Sequence, residues 1–70
     1  MTAHVATIAR RSGGWVVLRL DNDQVWEQSE DGPDLRLQVG ETVTIDKGIL
    51  GAYWLTVHAY HAAIKVRRTQ

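Results

Sequence analysis

The chain has no cysteine and no phenylalanine, and only one proline and one methionine in its 70 residues. Without cysteine there is no disulfide staple and no thiolate, so a closed apolar core must carry the stability of a domain this small. The lack of cysteine leaves the compartment open, because exported bacterial domains also do without it. No apolar run approaches the roughly 20 residues of a membrane helix, which argues against membrane insertion. The start, Met1-Thr2-Ala3-His4, has no signal-peptide core, so the chain reads as soluble and without an address. Strand-like alternation begins almost at once, as it would at the cut edge of an excised domain. No glycine-rich loop cradles phosphate and no nucleophile elbow is present; Ser12 and Ser29 fall in turn-like contexts.

What is there is a regular beat of short alternating runs with no helical period. Strands are predicted at about Val5 to Arg11, Trp15 to Asp21 and Val25 to Ser29. Others follow at Thr42 to Ile45, about Ala52 to Ala59, and from Ile64. Ser12-Gly13-Gly14 and Asp21-Asn22-Asp23 supply hairpin turns. The lone proline sits in Glu30-Asp31-Gly32-Pro33-Asp34, the longest polar stretch and a surface loop. Leu35 to Val39 alternates like a short edge segment, and Gly40 turns the chain into the next strand. A link at Tyr60-His61-Ala62-Ala63 precedes the last strand. The pattern predicts one all-β domain over residues 1–70, an SH3-like barrel of five or six antiparallel strands, with an OB-like barrel as alternative. Its expected core is Ile8, Val16, Leu18, Leu20, Leu37, Val43, Ile45, Leu55, Val57, Ile64 and Val66. In the third strand Trp26 is expected to point inward and Glu27 to face water.

Net charge is zero but unevenly spread. Residues 1–20 carry three arginines and no acid, residues 21–46 carry all eight acids, and residues 47–70 carry four cations and no acid. With first and last strands side by side, as small barrels commonly have them, Arg10, Arg11, Lys65, Arg67 and Arg68 form one basic face opposite an acidic one.

Four stretches stand out: Leu20-Asp21-Asn22-Asp23-Gln24-Val25-Trp26-Glu27-Gln28, Val39-Gly40-Glu41-Thr42-Val43-Thr44-Ile45, Gly48-Ile49-Leu50-Gly51-Ala52-Tyr53-Trp54-Leu55 and Val66-Arg67-Arg68. Together they resemble an uncharacterised family of small proteobacterial domains. The family pattern runs LDNGQVWEQ, VGDTVTI, GALGSFWL and VRR, and the resemblance covers nearly the whole chain. It implies a small barrel, a bacterial source and an envelope or periplasmic setting, and it assigns no catalytic residue. Asp23 stands where the pattern has the glycine of an Asn-Gly turn, which points to a looser hairpin or another turn type. Ala52 stands where the pattern has a small hydroxyl residue.

The candidate chemistry is sparse. His58 and His61 are three apart on a strand and its trailing link, and converge on a metal with His4 only if the chain bends there; no metal or other cofactor is expected. The carboxylates fall in turns where water keeps them ordinary, so no catalytic role is expected. The tryptophans are the stronger signal. Trp15 and Trp54 are on the outward parity of their strands, and either cover barrel ends and the 29–38 loop or bind a partner. Ile49 and Leu50 form an unusual apolar turn between Gly48 and Gly51. Together these four residues predict a non-catalytic protein-interaction or assembly module, with charge-oriented self-association through a two-fold dimer as one form. The alternative is a single-stranded nucleic-acid binder that uses the basic terminal strands and the aromatics.

Overall fold

The computed structural model describes residues 1–32, 35–59 and 61–70. Among these residues there are six strands and no helix. The strands are β1 (Thr2–Arg10), β2 (Val16–Leu20), β3 (Val25–Gln28), β4 (Thr42–Lys47), β5 (Tyr53–Val57) and β6 (Ala62–Arg68). They close into an antiparallel barrel in the order β1-β2-β3-β6-β5-β4, with β4 returning to β1. Two three-stranded meanders thus meet edge to edge, at β3 with β6 and at β1 with β4. Closure leaves no free sheet edge in a chain too small to cover one.

The β1–β2, β2–β3 and β4–β5 hairpins share one construction. Leu20 and Gln24 flank a three-residue loop in which the Asp23 N–H donates to the Leu20 carbonyl at 3.0 Å and Asp23 has a φ of 67°. Gly48 and Ala52 flank the equivalent loop, in which Gly51 donates to the Gly48 carbonyl and has a φ of 80°. Arg11 and Trp15 close the first hairpin in the same way. A left-handed residue at the third loop position is what a three-residue hairpin requires. Asp23 thus adopts the same left-handed conformation as Gly51.

The core follows the period of two. Val16, Leu18, Leu20, Leu37, Val43, Ile45, Leu55, Val57, Ile64 and Val66 are all buried, as expected, and Trp26 joins them. Ile8 is only partly buried, and Ala3, Val5 and Leu35 enter the core unexpectedly. The reason for Val5 is a bulge between Val5 and Thr7, which lets both Val5 and Ile8 turn inward despite their odd spacing. Residues 35–38 form no strand, yet Leu35 and Leu37 of this long β3–β4 connection are buried. The expected link at 60–63 is shorter, since Ala62 and Ala63 already belong to β6; Tyr60 lies outside the described residues, as do Pro33 and Asp34 of the expected surface loop.

Two expectations are corrected. β1 and β6 are not neighbours, because β2 and β3 lie between them on one side and β4 and β5 on the other. The premise for a single basic face is therefore absent. Glu27 does not face water: it is 4% exposed. Arginines reaching over it from two other parts of the chain cover a residue that its own strand would leave open.

Candidate functional site

At one pole of the barrel the β4–β5 hairpin projects Ile49 and Leu50, which are 103% and 96% exposed. They occupy the two central positions of the turn, where polar residues are the rule. Trp54, 43% exposed, stands on the outer face of β5 between buried Leu55 and the hairpin neck. Its indole lies against Gly48: a methyl group on that residue would come within 3.1 Å of the indole Cδ1 and Nε1. Glycine at 48 is thus what lets the indole fold against the neck of the turn that carries Ile49 and Leu50. Tyr53 faces the other way and packs edge-on against Trp26 with ring centroids 5.2 Å apart, closing the barrel end. The Trp26 indole N–H is satisfied by the Gln24 Oε1 at 3.0 Å.

Trp15 is at the opposite pole. Its indole N–H donates to Asp31 at 2.9 Å, which ties the first hairpin to the 29–38 connection. Trp15 also walls a cleft of about 750 Å³, which reaches Arg10, Gln28, Arg36 and the buried Ile64. Arg10 spans this end, donating to the Gly14 and Leu35 carbonyls at 3.3 Å each. Gln28 is buried beside it with both polar atoms engaged: its Oε1 accepts from the Val16 N–H, and its Nε2 donates to the Glu30 carbonyl. The four expected interface residues therefore divide, with Trp54, Ile49 and Leu50 together and Trp15 at the far end.

The expected basic residues divide too. Arg11 and Arg67 reach Glu27 from either side, at 2.9 Å to Oε2 and 2.8 Å to Oε1. Lys65 pairs with Glu30 at 3.0 Å, and Arg68 donates from Nε to the Gln70 carbonyl at 3.1 Å. Arg11, Lys65 and Arg67 thus rest on acids of the middle of the chain, so the surface is a mosaic rather than two opposed faces. Nothing in the linear sequence marks Glu27 as their meeting point. Its spacing on β3 reads as an ordinary outward residue.

His58 and His61 do come near one another, flanking a shallow hollow on the outer face of β4 and β5 with Thr44, Asp46 and Thr56. The His58 Nε2 is hydrogen-bonded to the Thr44 hydroxyl, and His61 closes the β5–β6 turn with a φ of 53°. Among the described residues no three metal-ligating side chains are placed to hold an ion. His4 is elsewhere, bonded to Asp21 through both its backbone N–H (3.1 Å) and its Nδ1 (3.0 Å). The backbone hydrogen bond from His4, and then the one from its ring, hold the Asp21 carboxyl below its ordinary value of 3.8.

No family model matches the chain, and neither the curated proteins nor the solved structures compared with it contain a match. Among the described residues no helix is long and apolar enough to cross a membrane.

Proposed function

We propose that this barrel is a non-catalytic protein-docking or assembly module whose contact surface is centred on Ile49, Leu50 and Trp54. The observation that carries the reading is the pair of fully exposed aliphatic side chains at the centre of a tight turn, whose neck residue Gly48 packs against a half-exposed indole. Turn geometry asks nothing apolar of positions 49 and 50, and burial in the core does not use them. Water contact with such a patch is unfavourable until a partner covers it. Aromatic and aliphatic anchors at the centre of a patch are where binding energy concentrates in protein interfaces. The family resemblance adds an SH3-like, envelope-associated setting to this reading.

The nucleic-acid alternative draws less support. Arg11 and Arg67 are engaged with the buried Glu27 carboxylate, and Asp46 lies directly beside Trp54 on the neighbouring strand, where it opposes a phosphate backbone.

Photo-cross-linking in the native host tests the docking reading. A photoreactive residue at position 50 is expected to trap a discrete protein adduct that the same residue at exposed Thr7 does not. Equal yields from the two positions, or no adduct at position 50, would overturn it.

A further inference from the structure

Resting on that docking reading, we propose that the partner is a second copy of this chain, packed face to face across β4–β5–β6 about a two-fold axis running along the strands. Three residues carry the argument. Asp46 on β4 is directly opposite Trp54, and Trp54 is directly opposite Lys65 on β6. Each alternates with buried neighbours (Ile45, Leu55, and Ile64 with Val66), so all three stand on the outer face as a row of acid, indole and base. Directly opposed residues on adjacent strands are about 5 Å apart, so the row is compact.

A two-fold contact must be complementary to itself: whatever residue i meets, that residue's twin meets i in return. An axis along the strands through Trp54 reverses the row from left to right. Asp46 of one copy then faces Lys65 of the other, twice, while indole meets indole at the centre. The same axis keeps both hairpin tips at one end, so Ile49 and Leu50 of the two copies lie side by side and cover each other. Like charges would face each other if the axis ran across the strands instead, so the row also selects the orientation.

The charges are available for this. Among the described residues Asp46 pairs with the α-amino group at 3.9 Å and Lys65 with Glu30 at 3.0 Å; both carboxylates are largely exposed, and the Lys65 side chain is 32% exposed. Exposed pairs of this kind are weak and easily shared with a new partner. A net charge of zero removes long-range repulsion between copies. Two aliphatic side chains and part of an indole fall short of the roughly 800 Å² per partner of a standard interface, so the dimer belongs among weak, concentration-dependent ones.

Sedimentation velocity over a concentration series at low salt tests this, with thermal unfolding of each variant to show that it is folded. The wild type is expected to move from monomer towards dimer as concentration rises. Asp46→Lys and Lys65→Glu each place like charges across the axis, and each is expected to weaken association by at least about tenfold. Mixing these two variants restores opposite charges at both contacts and is expected to restore the dimer, as is combining both changes in one chain. Leu50→Asp is expected to weaken association in every background. A wild type that stays monomeric into the millimolar range overturns the proposal, as do charge variants that associate like the wild type. If the wild type is monomeric while position 50 still traps a different protein, only the identity of the partner fails. If the dimer forms but ignores Leu50→Asp, the docking surface itself is wrong.

Discussion

Arg11 and Arg67, from opposite ends of the chain, hold the two oxygens of one buried carboxylate, that of Glu27. This joins the end of β1, the middle of β3 and the end of β6, three places that share no turn. The guanidinium groups are mostly exposed, at 61% and 66%, while the carboxylate is at 5%. Water can therefore compensate a lost arginine contact on the guanidinium side but hardly on the carboxylate side.

The two arginines are accordingly expected to be redundant one at a time. Arg11→Ala or Arg67→Ala alone should cost about 1 kcal/mol or less, because the remaining arginine still neutralises Glu27. The double variant should cost more than the sum by about 1 kcal/mol or more, since it leaves a buried carboxylate unpaired. A double-mutant cycle in urea measures the coupling; strict additivity would show that Glu27 does not depend on the pair.

Asp21 contributes to the acid side of the pH dependence. Its folded-state pKa is lowered by the His4 hydrogen bonds, so the unfolded chain binds its proton more readily than the native one. The contact therefore contributes above the unfolded value near 3.8 and is lost as pH falls through the lower folded value. An NMR titration of the Asp21 side chain should show a midpoint below 3.8 in the wild type. Replacing His4 by proline, which removes both the ring and the backbone donor, should move that midpoint upward in any variant that remains folded; no movement would mean that His4 is not the cause.

Asp23 holds a left-handed backbone at the position that Gly51 fills in the other hairpin. Asp23→Gly relieves that strain and loses an exposed contact with Arg19 at 3.0 Å, which is worth little. A net gain of about 0.5 kcal/mol is expected, seen as a rise in Tm of a few degrees. A fall in Tm would place more of the turn's stability in the Arg19–Asp23 pair than its exposure implies.

Two leucines separate folding from the proposed docking. Leu55 is wholly buried in the barrel, and Leu55→Ala is expected to cost about 2–5 kcal/mol. Leu50 stands clear of the fold, and Leu50→Ala is expected to leave stability within about 0.5 kcal/mol of wild type. Equilibrium denaturation of both compares them directly. A large loss at Leu50 would mean that the hairpin tip is part of the core rather than a contact surface.

By itself the sequence determined the strands, the turns and most of the core. Side-chain alternation is a property of neighbouring residues, so Val16, Leu18 and Leu20, or Leu55 and Val57, reveal their common face with no knowledge of what lies opposite. The apolar turn at Ile49 and Leu50 was legible for the same reason, since its oddity is local. Tertiary structure decided which strands are neighbours, because closure pairs β1 with β4 and β3 with β6 across long stretches of chain whose spacing carries no register. It decided that Glu27 is buried, because long arginine side chains from distant strands reach over it. It also decided that Asp46, Trp54 and Lys65 form one row, since a row across three strands exists only once their registers are set. Local periodicity assigns each residue a face; only the closed barrel assigns it a neighbour.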